Sequence, residues 1–73
     1  MTDHLIPIYA RVALTIDLPE EHLKRGQVGT LVEHLDSDDE PAELVEFEDA
    51  KGEVSTMVLV EPEHLVLVAA AAT

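Results

Sequence analysis

An alternation of apolar and polar residues at the start of the chain restricts it to β structure. Over residues 8–16 every second side chain is apolar, and these side chains share one face: Ile8, Ala10, Val12, Leu14 and Ile16. A period of two is typical of a half-buried strand, because successive side chains of a strand point to opposite faces. Four further segments are predicted as strands: residues 27–35, 42–49, 54–60 and 65–68. In the segment 42–49 the same alternation predicts that Val45 and Phe47 point inward. Short strands at spacings near ten residues indicate a small all-β domain.

The segments between the strands contain residues that favour turns. Residues 17–26 include Pro19 and end in a glycine, so we predict a long excursion containing at most one helical turn and held down by Leu18 and Leu23. Residues 36–41 have the composition of an exposed loop. Residues 50–53 predict a hairpin turn in which Gly52 supplies a positive φ.

Two other details refine the fold. Gly29 within the second strand indicates a bulge or a close backbone crossing, and residues 62–64 predict a 3-10 turn before the last strand. The resulting architecture is a small SH3-like barrel of about five short antiparallel strands. We expect one domain over residues 1–73, with its core in residues 8–68 and a flexible alanine-rich tail at 69–73. The chain lacks cysteine, so its stability depends on an apolar core or on a partner.

The charge of the chain limits its possible partners. It has 16 acidic against 4 basic residues, a formal net charge of −12, which disfavours nucleic acids and anionic membranes. A hydrophobic content of 47% separates it from disordered acidic chains. The longest apolar run, residues 65–72, is far shorter than the ~20 residues of a membrane-spanning helix. With no basic residue near the N-terminus, we expect a cytoplasmic protein.

Residues 17–33, DLPEEHLKRGQVGTLVE, followed by VEF at 45–47, resemble an uncharacterised family of short bacterial proteins. That family has the pattern D-L-P-x-x-x-L-K-x-G-x-x-G-T-V-V-E, and the likeness extends roughly from Tyr9 to Leu67. The most specific part of the motif contains Lys24, Arg25, Gly26, Gly29 and Thr30. The resemblance implies an SH3-like barrel. Members often lie beside other small uncharacterised genes, which implies a toxin-neutralising or accessory role.

A weaker likeness connects the glycines to ribosome- and polymerase-associated barrels that contain G-x-x-G-x-V. Gly26 and Gly29 match that spacing, but Lys24 and Arg25 are the only basic residues beside them. The glycines therefore favour barrel geometry, whereas the charge disfavours nucleic-acid binding. The two basic side chains have two explanations: ion pairs with Asp17, Glu20 or Glu21, which we favour, or contact between Arg25 and a carboxylate of a partner.

Acidic residues are concentrated between Glu33 and Asp49, where nine carboxylates occur in seventeen residues. A calcium loop beginning at Asp36 fails, because its sixth position is Pro41 and its twelfth is Phe47. We therefore interpret this region as a solvated surface, with weak divalent binding as the alternative. The predicted interaction face consists of Asp38, Asp39, Glu40, Glu43, Glu46 and Glu48.

Catalytic and metal sites find little support in the sequence. None of the four histidines is two or four positions from another, and His34 and His64 are expected to be ordinary surface residues. There is no cysteine nucleophile, and the serines are Ser37 in the acidic region and Ser55 in a predicted strand. We therefore predict that the chain is not an enzyme and uses no cofactor or metal.

The leading functional hypothesis is a non-catalytic acidic module, antitoxin-like, immunity-like or accessory, that covers a basic protein. The alternative is a barrel that self-associates through strand edges, and a second alternative, disfavoured by charge, is nucleic-acid binding. Residues 65–72 fit either a final strand with a loose tail or an edge that pairs with another chain.

Overall fold

The computed structural model describes residues 6–37, 40–48, 51–52 and 55–70, which form five strands and two 3-10 turns. The strands are β1 Arg11–Leu14, β2 Val28–Ser37, β3 Glu40–Glu48, β4 Ser55–Val60 and β5 Leu65–Ala69. The 3-10 turns are Pro19–Glu21 and Pro62–His64. All neighbouring strands are antiparallel, in the order β4-β3-β2-β1-β5. The predicted all-β class is confirmed: one open sheet, with β4 and β5 at its edges, forms a small barrel-like domain. Among the described residues, no helix is long and apolar enough to cross a membrane.

The core draws on every strand. Its buried members are Val12, Leu14, Leu23, Leu31, Val45, Phe47, Val58, Val60 and Leu65. In β3 the predicted alternation holds, since Val45 and Phe47 are buried between more exposed neighbours. Full burial of a side chain of this size contributes about 1.5–3 kcal/mol, so these inward positions supply most of the driving force for folding.

β1, Arg11–Leu14, is shorter than the strand that the alternation over residues 8–16 predicted. Tyr9 adopts a left-handed φ of 72°, which ends the extended chain on the N-terminal side, although its amide still donates to the carbonyl oxygen of Leu31 at 2.5 Å. At the other end, the Thr15 amide donates to the carbonyl oxygen of His64. Ile16 lies beyond the end of β1 and its side chain is 36% exposed, so its predicted place on the inward face was wrong.

The excursion after β1 is held as predicted. Leu18 and Leu23 exchange two backbone hydrogen bonds, of 2.9 and 3.1 Å, across the 3-10 turn Pro19–Glu21. Leu23 is buried in the core, and Leu18 packs against it from the side. Two leucines separated by a turn therefore anchor a long loop to the barrel.

The predicted loop at residues 36–41 was wrong. β2 continues to Ser37 and β3 begins at Glu40, with Asp36 opposite Pro41 and Ser37 opposite Glu40, whereas residues 38–39 lie outside the described residues. The backbone ladder with the opposite strand, rather than the local composition, sets how far these strands extend. Pro41 is tolerated because β3 pairs with β4 only from Glu43 onward, so its missing amide breaks no described ladder bond on that side.

The last strand pairs within the chain. β5 lies antiparallel to β1, with Leu65 opposite Leu14 and Val66 opposite Ala13. The predicted strand is thus confirmed and is one residue longer. The 3-10 turn before it and the positive φ of Gly52, 72°, are also as predicted.

Candidate functional site

The outward face of the β2–β3–β4 sheet combines apolar and acidic side chains. Leu44 lies opposite Glu33 on one side and opposite Leu59 on the other. In the next outward row Glu46 lies opposite Met57. Met57 and Leu59 are each 58% exposed. Exposed apolar side chains bordered by charged ones are characteristic of protein interaction surfaces.

The acidic side chains on this sheet only partly match those predicted. Glu40 and Glu48 are exposed and Glu46 is half-buried, whereas Asp38 and Asp39 lie outside the described residues. Glu43 was placed wrongly, because it is buried on the inward side of β3. We define the hairpin acidic face by the outward carboxylates of the two strands: Glu33, Glu40, Glu46 and Glu48.

Glu33 lies on this face because β2 contains a bulge, whose position was not predicted from the sequence. The pairing of β2 with β3 shifts between Leu31 and Glu33. Strict alternation from the buried Leu31 would point Glu33 inward, but one extra residue reverses the phase of the strand. Glu33 is therefore exposed, and His34 points inward.

His34 and Glu43 form a pair inside the sheet. His34 Nδ1 lies 2.5 Å from Glu43 Oε1, and the side chains are 19% and 4% exposed. Their backbones are opposite one another in the β2–β3 ladder. A buried carboxylate needs such a partner, because an unpaired one is costly to desolvate. The expectation that His34 is an ordinary surface residue was wrong, and this carboxylate is unavailable to a partner protein.

The basic residues of the sequence motif have structural contacts through their backbone. The Arg25 amide donates to Asp17 Oδ1 at 2.8 Å, and the Lys24 amide donates to Gln27 Oε1 at 3.2 Å. The favoured explanation, ion pairs of these side chains with Asp17, Glu20 or Glu21, was wrong, since neither side chain makes an ion pair with any residue that the structure describes. Asp17 instead closes the excursion through a backbone amide.

Glycine is required at two positions of the motif, Gly26 and Gly29, for different geometric reasons. Gly26 has a φ of +90°, which a residue with a side chain rarely adopts, and its amide donates to the carbonyl oxygen of Leu14. Gly29 faces a close crossing, because a Cβ there would lie 2.7 Å from the backbone oxygen of Glu46. Thr30 pairs with Arg11 on one side and with Glu46 on the other. The close crossing predicted at Gly29 is confirmed, and the bulge lies two residues further along.

One cluster near the second 3-10 turn contains potential metal ligands. Carboxylate oxygens of Glu61 and Glu63 and an imidazole nitrogen of His64 lie within 4.8 Å of one another. Both histidine nitrogens already face carboxylates, at 3.5 and 3.7 Å. Both glutamates are exposed, and three surface groups in ion-pair contact do not by themselves form a metal centre.

Comparison with known proteins identifies the family of the chain without assigning an activity. Neither the curated proteins nor the solved structures gave a match. The family model described as "Domain of unknown function (DUF4926)" matches residues 8–67. This range begins before β1 and ends within β5, so it includes all of the sheet except the last residues of β5. The chain therefore belongs to this family of domains of unknown function.

Proposed function

We propose that the domain is a non-catalytic module that binds a basic protein through the outward face of β2, β3 and β4. The observation that carries the proposal is the arrangement on this face: exposed Met57 lies opposite Glu46, and exposed Leu59 lies in the same row as Leu44 and Glu33. Burial of the apolar side chains against a partner is favourable because it removes them from water, while the carboxylates select a partner of opposite charge.

The net charge supports the same partner class. At −12 the chain attracts cations over distances comparable to the Debye length, about 10 Å at 0.1 M salt, and accelerates encounter with a basic surface. A protein that binds or cleaves nucleic acid presents such a surface to phosphates. Covering it would block that site, and this is the antitoxin-like, immunity-like or accessory role that we propose, in the cytoplasm of a bacterial cell.

The chemistry of the sequence supports a role without catalysis. The chain contains no cysteine. Of the two serines, Ser55 lies exposed at the start of the edge strand β4 and Ser37 lies at the end of β2. The imidazole of His34 is engaged by the buried carboxylate of Glu43. These placements favour binding over reaction chemistry.

Charge reversal on the face tests the proposal. We expect the variant Glu33→Lys with Glu40→Lys to lose basic proteins that the unmodified chain retains from a lysate of its own cell. The matched control is Glu20→Lys with Glu63→Lys, which makes the same change in net charge at exposed positions away from the hairpin. Retention is measured by quantitative mass spectrometry of proteins captured on each immobilised variant.

Salt provides the second readout. We expect the retained proteins to be released between about 0.1 M and about 1 M NaCl, over which the Debye length falls from about 10 Å to about 3 Å. Capture that is insensitive to salt, or that is lost equally in the control variant, would contradict binding through this face. Circular dichroism of each variant verifies that the fold is intact.

A second candidate is self-association, which the open sheet supports. Both edge strands expose apolar residues: Met57 and Leu59 on β4, and Val66, Leu67 and Val68 on β5. Two chains of charge −12 repel one another, so self-association should strengthen as salt rises, opposite to binding of a basic partner. Sedimentation velocity of the purified chain at about 0.1 M and about 1 M NaCl distinguishes the two candidates.

A further inference from the structure

A groove separates the excursion after β1 from the adjoining ends of β3 and β4. Its volume is about 240 Å³. The lining residues are Glu21, His22, Leu23, Gln27, Phe47, Glu48 and Thr56. Leu23 and Phe47 also belong to the buried core, so they form an apolar floor. Glu21 and Glu48 are exposed and lie on opposite elements, the loop and the sheet.

The size of the groove limits its occupant. Sites for small molecules and cofactors generally occupy about 300–1,000 Å³ and enclose most of the ligand. At about 240 Å³, this groove is smaller and open to solvent, which suits one side chain projecting from another molecule. The occupant must also be compatible with an apolar floor and two carboxylates.

The wall formed by the excursion is already in place without a ligand. Leu18 and Leu23 exchange two backbone hydrogen bonds, and the His22 amide donates to the carbonyl oxygen of Pro19. His22 itself has a left-handed φ of 61°, an uncommon conformation for a residue with a side chain. Because the backbone around Glu21 is fixed in this way, a ligand would not need to order it, which reduces the entropic cost of binding.

We propose that this groove accepts an arginine side chain of the basic partner. The described residues that line it include two glutamates, Glu21 and Glu48, and no lysine or arginine, so the charge of the groove favours a cation. The methylenes of an arginine can cover Leu23 and Phe47 while the charged end stays at the rim. A planar guanidinium has five donors in a fixed fork and can bind more than one acceptor at once, whereas a lysine ammonium is a single compact point charge. The inference rests on the proposed function, because it supplies a specific contact for the basic partner.

Amide chemical shifts of the ¹⁵N-labelled full chain test the groove with small probes. We expect N-acetyl-arginine-N-methylamide to bind with a dissociation constant in the millimolar range and to shift the amides of Leu23, Gln27, Phe47 and Thr56. The lysine analogue should bind several-fold more weakly. The citrulline analogue has nearly the same shape as arginine without the charge, so it should leave these amides unchanged.

Paired variants separate the groove from the general negative field. Glu21→Gln with Glu48→Gln should weaken arginine binding about fivefold, since two exposed ion pairs, each weak on its own, would be lost together. Glu61→Gln with Glu63→Gln removes the same charge at two exposed positions that do not line the groove, and it should have little effect. Equal shifts with citrulline and arginine, equal or tighter binding of lysine, or equal weakening by both variant pairs would overturn the proposal.

The two proposals can fail separately. Arginine binding in the groove with no salt-sensitive protein captured by the chain would overturn the proposed function and leave the groove assignment standing. Capture that depends on Glu33 and Glu40, with no shift at Leu23, Gln27 or Thr56 on adding the arginine probe, would overturn the groove assignment alone.

Discussion

Replacement of Gly29 by alanine measures how closely β2 and β3 approach one another. A Cβ at this position would lie 2.7 Å from the backbone oxygen of Glu46 and 2.8 Å from Cδ1 of the Phe47 ring. Favourable contacts between non-bonded carbon atoms occur at about 3.5–4.0 Å, so both approaches are repulsive. The oxygen belongs to β3, which is paired on both sides by β2 and β4, and the ring is buried in the core, so neither group can move without disturbing its neighbours.

The expected loss of stability follows from two opposing effects. Overpacking of a core by a methyl group costs about 1–3 kcal/mol. The φ of Gly29 is not in the left-handed region, so alanine also restricts the unfolded chain and returns about 0.4–1 kcal/mol. The net destabilisation should be about 1–2 kcal/mol. For a domain of this size, that corresponds to a fall in the melting temperature of roughly 4–16 °C.

Urea denaturation and thermal melting, both followed by far-ultraviolet circular dichroism, provide the measurement. Phe47→Leu removes part of the ring, so Gly29→Ala should cost less in that background than alone. Gly52→Ala is the control: a Cβ at that position would have no atom within 4 Å, and its cost, about 1 kcal/mol, arises from the positive φ. That cost should be the same in both backgrounds. An unchanged or higher melting temperature for Gly29→Ala would refute the steric argument.

Two further predictions concern carboxylates with structural roles. Glu43→Lys should destabilise the fold by about 3 kcal/mol or more, because it places a second basic group against His34 at a nearly buried position, whereas Glu43→Gln should be tolerated far better. Equal urea midpoints for Glu43→Lys and the unmodified chain would show that Glu43 does not point inward. Asp17→Ala removes the acceptor of the Arg25 amide and should cost about 0.5–1.5 kcal/mol, with faster hydrogen exchange at that amide, while Asp17→Asn should retain much of the contact. Unchanged exchange in Asp17→Ala would contradict this role.

Much of the fold could be predicted because short-range patterns determine it. Val45 and Phe47 are buried as the period of two requires, and Leu18 and Leu23 anchor the excursion between β1 and β2. Gly52 has the positive φ expected in a turn. These features depend on side-chain periodicity and on local backbone conformation, which are properties of neighbouring residues.

The limits of the strands and the candidate site were harder to predict from the sequence. The acidic composition of residues 36–41 suggested a loop, but the backbone of β2 pairs with that of β3 as far as Ser37 and Glu40, and this pairing depends on the opposite strand rather than on local composition. The groove between the excursion and β3 was not predicted at all. Its lining includes both Glu21 and Glu48, which are 27 positions apart in the sequence, and no local pattern indicates that they share a groove.

The sequence by itself determined an all-β domain, the order of its turns and a strongly acidic character. Only the tertiary structure decided which carboxylates face outward. The bulge after Leu31 reverses the phase of β2, so Glu33 reaches the surface and His34 turns inward to meet Glu43. Alternation along β3 already put Glu43 on the same face as Val45, but a buried carboxylate is tolerable only with a partner. That partner comes from another strand, and its position depends on the register between the two strands rather than on the sequence around Glu43.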